Sequence, residues 1–254
     1  MTRNNIIIVG GSSGIGLSLC QKLQNRELTV ISRSACPVAG VKNYIADVCA
    51  PEDLSAAFSK LQKADALVYC AGMSLAAPIE YVETSDYRKL FDTNLLGAVE
   101  ATKLAMPLLR QSGAGRIIYL GSMGGVVPIA FDSFYSASKA ALMQLASAVN
   151  LETDNVTATV AVIGGTKTRF SFKRKIYTDC GDYDEALKSA SDALIKIEQT
   201  GYTADKVSDQ LVKLIDGDYP AAVTIGFKNK LELCIYRLMP FRIKQLICKK
   251  IYGL

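Results

Sequence analysis

The chain has 254 residues, half of them apolar, and 29 basic against 24 acidic side chains give it a net charge of +5. That length and apolar share suit one α/β domain with a large core, and so mild a charge gives no reason to look for nucleic acid. Histidine is absent, which excludes Ser-His-Asp hydrolysis, Cys-His proteolysis and His-ligated metal chemistry together.

The first element is an apolar strand at Asn5–Val9, followed by a glycine-rich stretch and then by Ile15, Leu19 and Leu23 at helical spacing. Further strands are expected at residues 28–31, 43–46 and 66–70. Pro51, Glu52 and Asp53 mark a helix start, because proline suits the first turn and carboxylates favour the positive end of the dipole. A long helix is expected over residues 86–109 and a buried strand over 116–120. Then come a helix at Ser133–Glu152, a strand at 156–163, a helix at 203–215 and a strand at 221–225. Strands alternating with helices in this rhythm predict an α/β, doubly wound parallel sheet covered on both faces. Residues 166–202 break the rhythm, being polar, charged and irregular, and read as a substrate-covering lid.

The stretch after the first strand is Gly10-Gly11-Ser12-Ser13-Gly14-Ile15-Gly16. Glycines let backbone turn sharply against a pyrophosphate, whose charge is met by amides at a helix N-terminus. Tyr135 and Lys139 stand four residues apart on the predicted helix Ser133–Glu152 and share a face. An unperturbed phenol titrates near about 10, and a cation beside it is expected to lower that value toward the range useful for proton transfer.

These residues resemble the short-chain dehydrogenase/reductase family, and Ser122-Met123-Gly124-Gly125-Val126-Val127-Pro128 with the lid after Thr168 resembles its branch that includes the 17β-hydroxysteroid dehydrogenases. The G-x-x-x-G-x-G spacing, the Y-x-x-x-K pair, Ser122 thirteen residues before Tyr135, and Asn94 in Asp92-Thr93-Asn94 occur in the family's order. The resemblance covers residues 4–225 and implies a Rossmann fold, a nicotinamide cofactor and a carbonyl–alcohol interconversion without a metal. It implies a catalytic set of Asn94, Ser122, Tyr135 and Lys139, with Asn94 holding a water in the proton relay and Lys139 also binding the nicotinamide ribose.

Cofactor contacts are expected from Gly10, Ser12, Ser13, Gly14, Ile15 and Gly16, from Ala71 and Gly72 after the fourth strand, and from Thr168 at the nicotinamide carboxamide. Asn94, Tyr135 and Lys139 complete that set. At the end of the second strand an NAD-binding member carries an acidic residue; here Ser32-Arg33 stands instead. A guanidinium and a hydroxyl suit a 2′-phosphate, so NADP(H) is favoured over NAD(H), the alternative being that Arg33 is a solvated loop residue. Asp47 and Val48 match the adenine-contacting pair, or serve only as a strand end. Two departures stand out: Cys70-Ala71-Gly72 replaces N-A-G, and Gly164-Gly165 replaces P-G.

Residues 1–226 are read as the dinucleotide-binding and catalytic domain, with the lid at 166–202, and residues 227–254 as a basic amphipathic extension. Seven basic residues against Glu232 alone give that extension a local charge of +6. Two readings of it stand: contact with an anionic membrane surface, or packing on its own or a partner subunit. Lys173-Arg174-Lys175 either meets an acidic substrate group or lies on a solvated face. The substrate class implied is a small apolar carbonyl or alcohol, bulky as a steroid is, with a 3-ketoacyl substrate as the rival. A non-catalytic redox sensor and a nucleotide-sugar epimerase are the competing classes. The first need not retain a proton-transfer set, and the second is a longer chain with another glycine spacing. A homodimer or homotetramer is expected, with Ala137, Ala140, Ala141 and Ala146 offering close helix packing. Seven scattered cysteines without a C-x-x-C pair, and no apolar run of about 18 residues, fit a reducing, cytoplasmic setting, peripheral at a membrane if the extension binds one.

Overall fold

The computed structural model describes residues 2–254. Its apolar runs become strands β1 (Asn5–Val9), β2 (Glu27–Ser32), β3 (Lys42–Ile45), β4 (Ala66–Tyr69), β5 (Gly115–Leu120), β6 (Val156–Val162) and β7 (Ala222–Thr224). All pair in parallel, in the order β7-β6-β5-β4-β1-β2-β3. Successive strand residues point to opposite faces, and in the inner strands both faces are covered, which is why those strands read as apolar runs, whereas the edge strand β3 is largely exposed.

Ile7, Val9, Leu67 and Ile117 face one layer, made by α2 (Pro51–Phe58), α4 (Gly97–Gln111) and α5 (Ser133–Glu152). Ile6, Ile8, Val68 and Ile118 face the other, made by α1 (Gly14–Lys22) and α7 (Ala204–Asp216). Each fully buried Ile or Leu in these layers contributes about 1.5–3 kcal/mol. Strand order reverses between β1 and β4, and the crevice beyond their carboxyl ends is where ligands settle in such sheets. Gly10 follows β1 and Ala71-Gly72 follows β4, so the topology itself brings them to one crevice.

The long helix expected over 86–109 is two helices, α3 (Thr84–Phe91) and α4, joined through a π-helical stretch at Asp92–Leu96. The extra residue in that turn displaces the carbonyl ladder, and the Tyr69 hydroxyl donates to Thr93 O at 2.6 Å. Asn94 sits inside this stretch.

Residues 166–202 are more regular than their sequence suggests, for α6 (Asp184–Thr200) occupies nearly half of them. Two-residue parallel pairs tie the segment down, Thr166–Lys167 with Tyr202–Thr203 and Leu75–Ala76 with Lys175–Ile176. Beyond β7 the chain forms two helices, α8 (Phe227–Leu238) and α9 (Phe241–Tyr252). Pro240 lies between them, without the amide needed to continue α8. No helix among the described residues is long and apolar enough to cross a membrane.

Candidate active site

The glycine turn is built by close approach. Gly10 has φ +84°, and a Cβ there would lie 2.7 Å from Ala71 N; a Cβ on Gly16 would lie 2.3 Å from Gly10 O. The turn therefore folds back on itself and against the loop after β4. Gly14, at φ +56°, opens α1 and has nothing within 4 Å of the place its Cβ would take. Ser13, at the N-cap, makes no side-chain cap, so its hydroxyl does not occupy the first amides at the positive end of α1. That cradle fits a pyrophosphate, and Ser12, Ser13, Gly14 and Ile15 all border it.

At the end of β2, Ser32 is buried and its hydroxyl donates to Ser34 O at 2.7 Å. Ser34, which sequence reasoning passed over, donates to Ser12 Oγ at 3.1 Å and links the β2 loop to the glycine turn. Arg33 is exposed beside it. The group free to meet a phosphate is thus Arg33, while the Ser32 and Ser34 protons are spent on Ser34 O and Ser12 Oγ. After β3, Asp47 Oδ1 accepts from Cys49 N at 3.0 Å, and Val48 presses against Gly97, where a Cβ would meet it at 3.0 Å.

Ser122, Tyr135 and Lys139 converge beyond β5. Ser122 caps a short 3₁₀ turn by accepting from Gly124 N at 2.9 Å, which fixes its oxygen and leaves its proton free to donate. Lys139 is buried, lies 5.7 Å from the centre of the Tyr135 ring, and donates to Leu120 O at 2.8 Å. Gly72 makes room for it: a Cβ there would lie 3.5 Å from Lys139 Nζ and 3.4 Å from Asn94 Oδ1.

The electrostatics differ from expectation. Burial pushes the Tyr135 phenol up to about 12, with the Ser122 hydrogen bond working the other way and the carboxylates of Asp132 and Glu198 adding to the rise. Burial also pushes Lys139 down to about 8, against the pull of Cys70. Desolvation outweighs the Ser122 hydrogen bond and the Arg174 cation, so the phenol keeps its proton at neutral pH.

Asn94 is fully buried. Met73 N donates to its Oδ1 at 2.7 Å, and its Nδ2 donates to Met73 O at 2.9 Å and to Ser138 Oγ at 3.0 Å. Ser138 in turn donates to Tyr135 O at 2.7 Å. Both amide protons are used, so the side chain braces the loop after β4 against the helix that carries Tyr135. Cys70, in place of the family's asparagine, has its thiol pushed up to about 12 by burial, with the Lys139 ammonium opposing.

The segment 166–202 reaches the same place. Phe170 lies 6.0 Å from the Tyr135 ring at a tilt of 51°, and its amide donates to Thr168 Oγ1 at 3.2 Å. Within Lys173-Arg174-Lys175, the two lysines are exposed as a solvated face would have them, whereas Arg174 departs from both sequence readings, meeting neither solvent nor a free pocket. It is buried, donates to Ser74 Oγ at 2.9 Å and to Glu198 Oε1 at 3.3 Å, and lies 3.9 Å from Asp132 Oδ2. Ser74 donates to Asp132, whose other oxygen has no partner. Burial pushes Asp132 up to about 7, with Ser74 and Arg174 opposing. Lys175 pairs with Asp86 on α3.

Gly164-Gly165 also has a local cause. A Cβ on Gly164 would lie 2.6 Å from Asn229 Oδ1 of α8, and one on Gly165 would lie 2.4 Å from Ile197 O of α6. Among the small residues of α5, Ala146 is buried in the core of its own subunit and is removed from any helix-packing surface, while Ala137 is exposed.

The short chain dehydrogenase family model matches residues 4–176. Over 222 residues the chain is 28% identical to a 3-ketodihydrosphingosine reductase of Bacteroides thetaiotaomicron, covering 83% of this chain and 82% of that one. It is 30% identical to estradiol 17-beta-dehydrogenase 2 of Mus musculus, covering 81% of this chain and 58% of the relative's length. A short-chain dehydrogenase from Streptomyces avermitilis has the same fold, with a TM-score of 0.81 at 19% identity over 98% of this chain and 97% of that one. A doubly wound sheet with a glycine cradle at its switch point, and a family match over two thirds of its length, make this chain a member of the short chain dehydrogenase family, an oxidoreductase of CH–OH groups that works with a nicotinamide cofactor.

Proposed function

We propose that the protein is an NADPH-preferring reductase of a bulky apolar ketone, interconverting it with the secondary alcohol, with Tyr135 as proton donor. The observation that carries this reading is the Ser122–Tyr135–Lys139 convergence: a serine oxygen fixed by Gly124 N, a phenol that keeps its proton, and a buried ammonium beside it. When bound, the nicotinamide supplies the hydride. As charge develops on the carbonyl oxygen, Ser122 and Tyr135 donate to it, and Tyr135 delivers its proton. Lys139 replenishes that proton and holds the nicotinamide ribose, and Asn94 keeps the helix of Tyr135 in register. Gly10, Ser12, Ser13, Gly14, Ile15 and Gly16 hold the pyrophosphate, Asp47 and Val48 the adenine, Ala71, Gly72 and Thr168 the nicotinamide side.

The preference for NADPH rests on Arg33, exposed at the end of β2 where no acidic residue stands, with Ser34 at its side. The apolar substrate rests on the lid: Phe170 covers Tyr135, and Arg174 is committed to Ser74 and Glu198 rather than to a substrate. Relatives named for a ketosphingoid base and for estradiol agree with a bulky apolar compound. The test is the initial rate of NADPH oxidation with a steroid ketone beside a 3-ketoacyl thioester, with the Tyr135→Phe protein as blank. Turnover of the steroid supports the assignment. Turnover of the thioester alone moves the protein to acyl substrates and leaves the proton chemistry as assigned.

A further inference from the structure

The helices beyond β7 carry their apolar residues on the wrong side for a core. Among the described residues, nine of the eighteen exposed large hydrophobic side chains lie in residues 227–254. On α8, Phe227, Leu231, Ile235 and Leu238 recur every three to four residues and form one stripe, with Phe227 80% and Leu238 82% exposed. The opposite face, Asn229 and Leu233, is buried on the body of the protein. At about 100° per residue, Lys228 flanks the stripe on one side and Lys230 and Arg237 on the other. On α9 the exposed apolar residues are Phe241, Ile243, Leu246 and Ile251, with Phe241 71% and Leu246 67% exposed; they lie on more than one face, with Arg242, Lys249 and Lys250 among them.

The inner seam uses other residues. Lys244 lies 5.0 Å over the Tyr236 ring, and Tyr252 is buried at the far end of α9, its carbonyl accepting from Ser189 Oγ of α6 at 3.1 Å. The exposed apolar residues are therefore left over after both helices have packed. Apolar side chains collared by lysine and arginine match an anionic lipid interface, where the chains enter the acyl boundary and the ammonium groups meet phosphate. A second copy of the same surface is disfavoured by its charge, since seven basic residues against Glu232 alone would face the same excess.

We propose that α8 and α9 form a docking surface for an anionic lipid bilayer, lying in its interface without crossing it. Since α9 rests on α6, docking also sets the lid helix within about one helix diameter of the membrane.

The test uses the full chain with vesicles of phosphatidylcholine, with and without about one third phosphatidylserine. The chain should sediment with the anionic vesicles, remain free with the neutral ones, and be released by about 0.5 M salt. Leu231→Glu with Leu246→Glu, both on exposed faces, should lower partitioning by about 10-fold or more while leaving the unfolding temperature unchanged. Lys228→Glu with Lys249→Glu should do the same through charge alone. Absence of the native chain from anionic vesicles at low salt overturns the proposal, as does equal partitioning of native and variant proteins. An oligomer that falls to protomers in the Leu231→Glu, Leu246→Glu protein, with no vesicle binding by the native chain, overturns it in favour of a second copy.

Discussion

The two ends of the site are held by different physics. Around the cofactor cradle, residue identity is dictated by backbone approach: Gly10 and Gly16 have no room for a side chain, and the fold fails locally if one is added. Around the lid, identity is dictated by long side chains meeting across the sequence, as when Arg174 reaches Ser74, Asp132 and Glu198 from three other segments. The first kind of constraint leaves a signature in spacing. The second leaves almost none, because each partner is an ordinary polar residue in its own neighbourhood.

The sharpest way to break the cradle is Gly16→Ala, whose methyl would sit 2.3 Å from the backbone oxygen of Gly10. Nicotinamide dinucleotide binding should weaken by about 100-fold or more, with a lowered unfolding temperature; titration by fluorescence reads the first and calorimetry the second. Arg33→Glu comes next. Loss of a bidentate, charge-assisted contact is worth about 1.5–3 kcal/mol, so the ratio of kcat/KM for NADPH over NADH should fall by about 10- to 100-fold. An unchanged ratio would make Arg33 a solvated loop residue.

The lid is probed more gently. Asp132 has its proton held up to about 7, whereas its ordinary value is 3.8. Between those limits the folded protein keeps a proton that the unfolded chain releases, so this group's stabilisation is full at low pH and is lost as pH rises through 7. Asp132→Asn should therefore flatten the fall in stability between about pH 4 and 7, by about 1–3 kcal/mol in denaturant melts. A native protein that grows steadily more stable across that range, with a parallel curve for the variant, contradicts the buried cluster. The smallest effect is expected for Phe170→Ala, which uncovers Tyr135: KM for an apolar ketone should rise about 3- to 10-fold with kcat little changed.

This contrast also explains what the sequence disclosed. The inner strands were legible because a sheet covered on both faces demands apolar runs, the exposed edge strand β3 gave a weaker signal, and in α5 Ser133–Glu152 has the bounds expected of it. The helix α6 was hidden because only Leu187, Ala190, Ser191 and Leu194 mark its inner face among charged neighbours. Nothing local distinguished Arg174 from Lys173 and Lys175, since only the distant partners select which of three cations is buried. The π-helical stretch at Asn94 was equally silent, its displaced carbonyl being satisfied by Tyr69 from another strand. Ser34 was missed because its partner Ser12 is 22 residues away in sequence. A helix pair with apolar residues facing outward at 227–254 was readable as amphipathic, but which side it would bury depended on Asn229 meeting Gly164.

The proposal that Tyr135 carries the proton is decided by single-turnover reduction of a steroid ketone by NADPH, with native and Tyr135→Phe proteins compared at equal cofactor occupancy. In the Tyr135→Phe protein the hydride-transfer rate should fall by about 100-fold or more while NADPH affinity stays within a few-fold of native. A Tyr135→Phe protein that reduces the ketone at the native rate would contradict it.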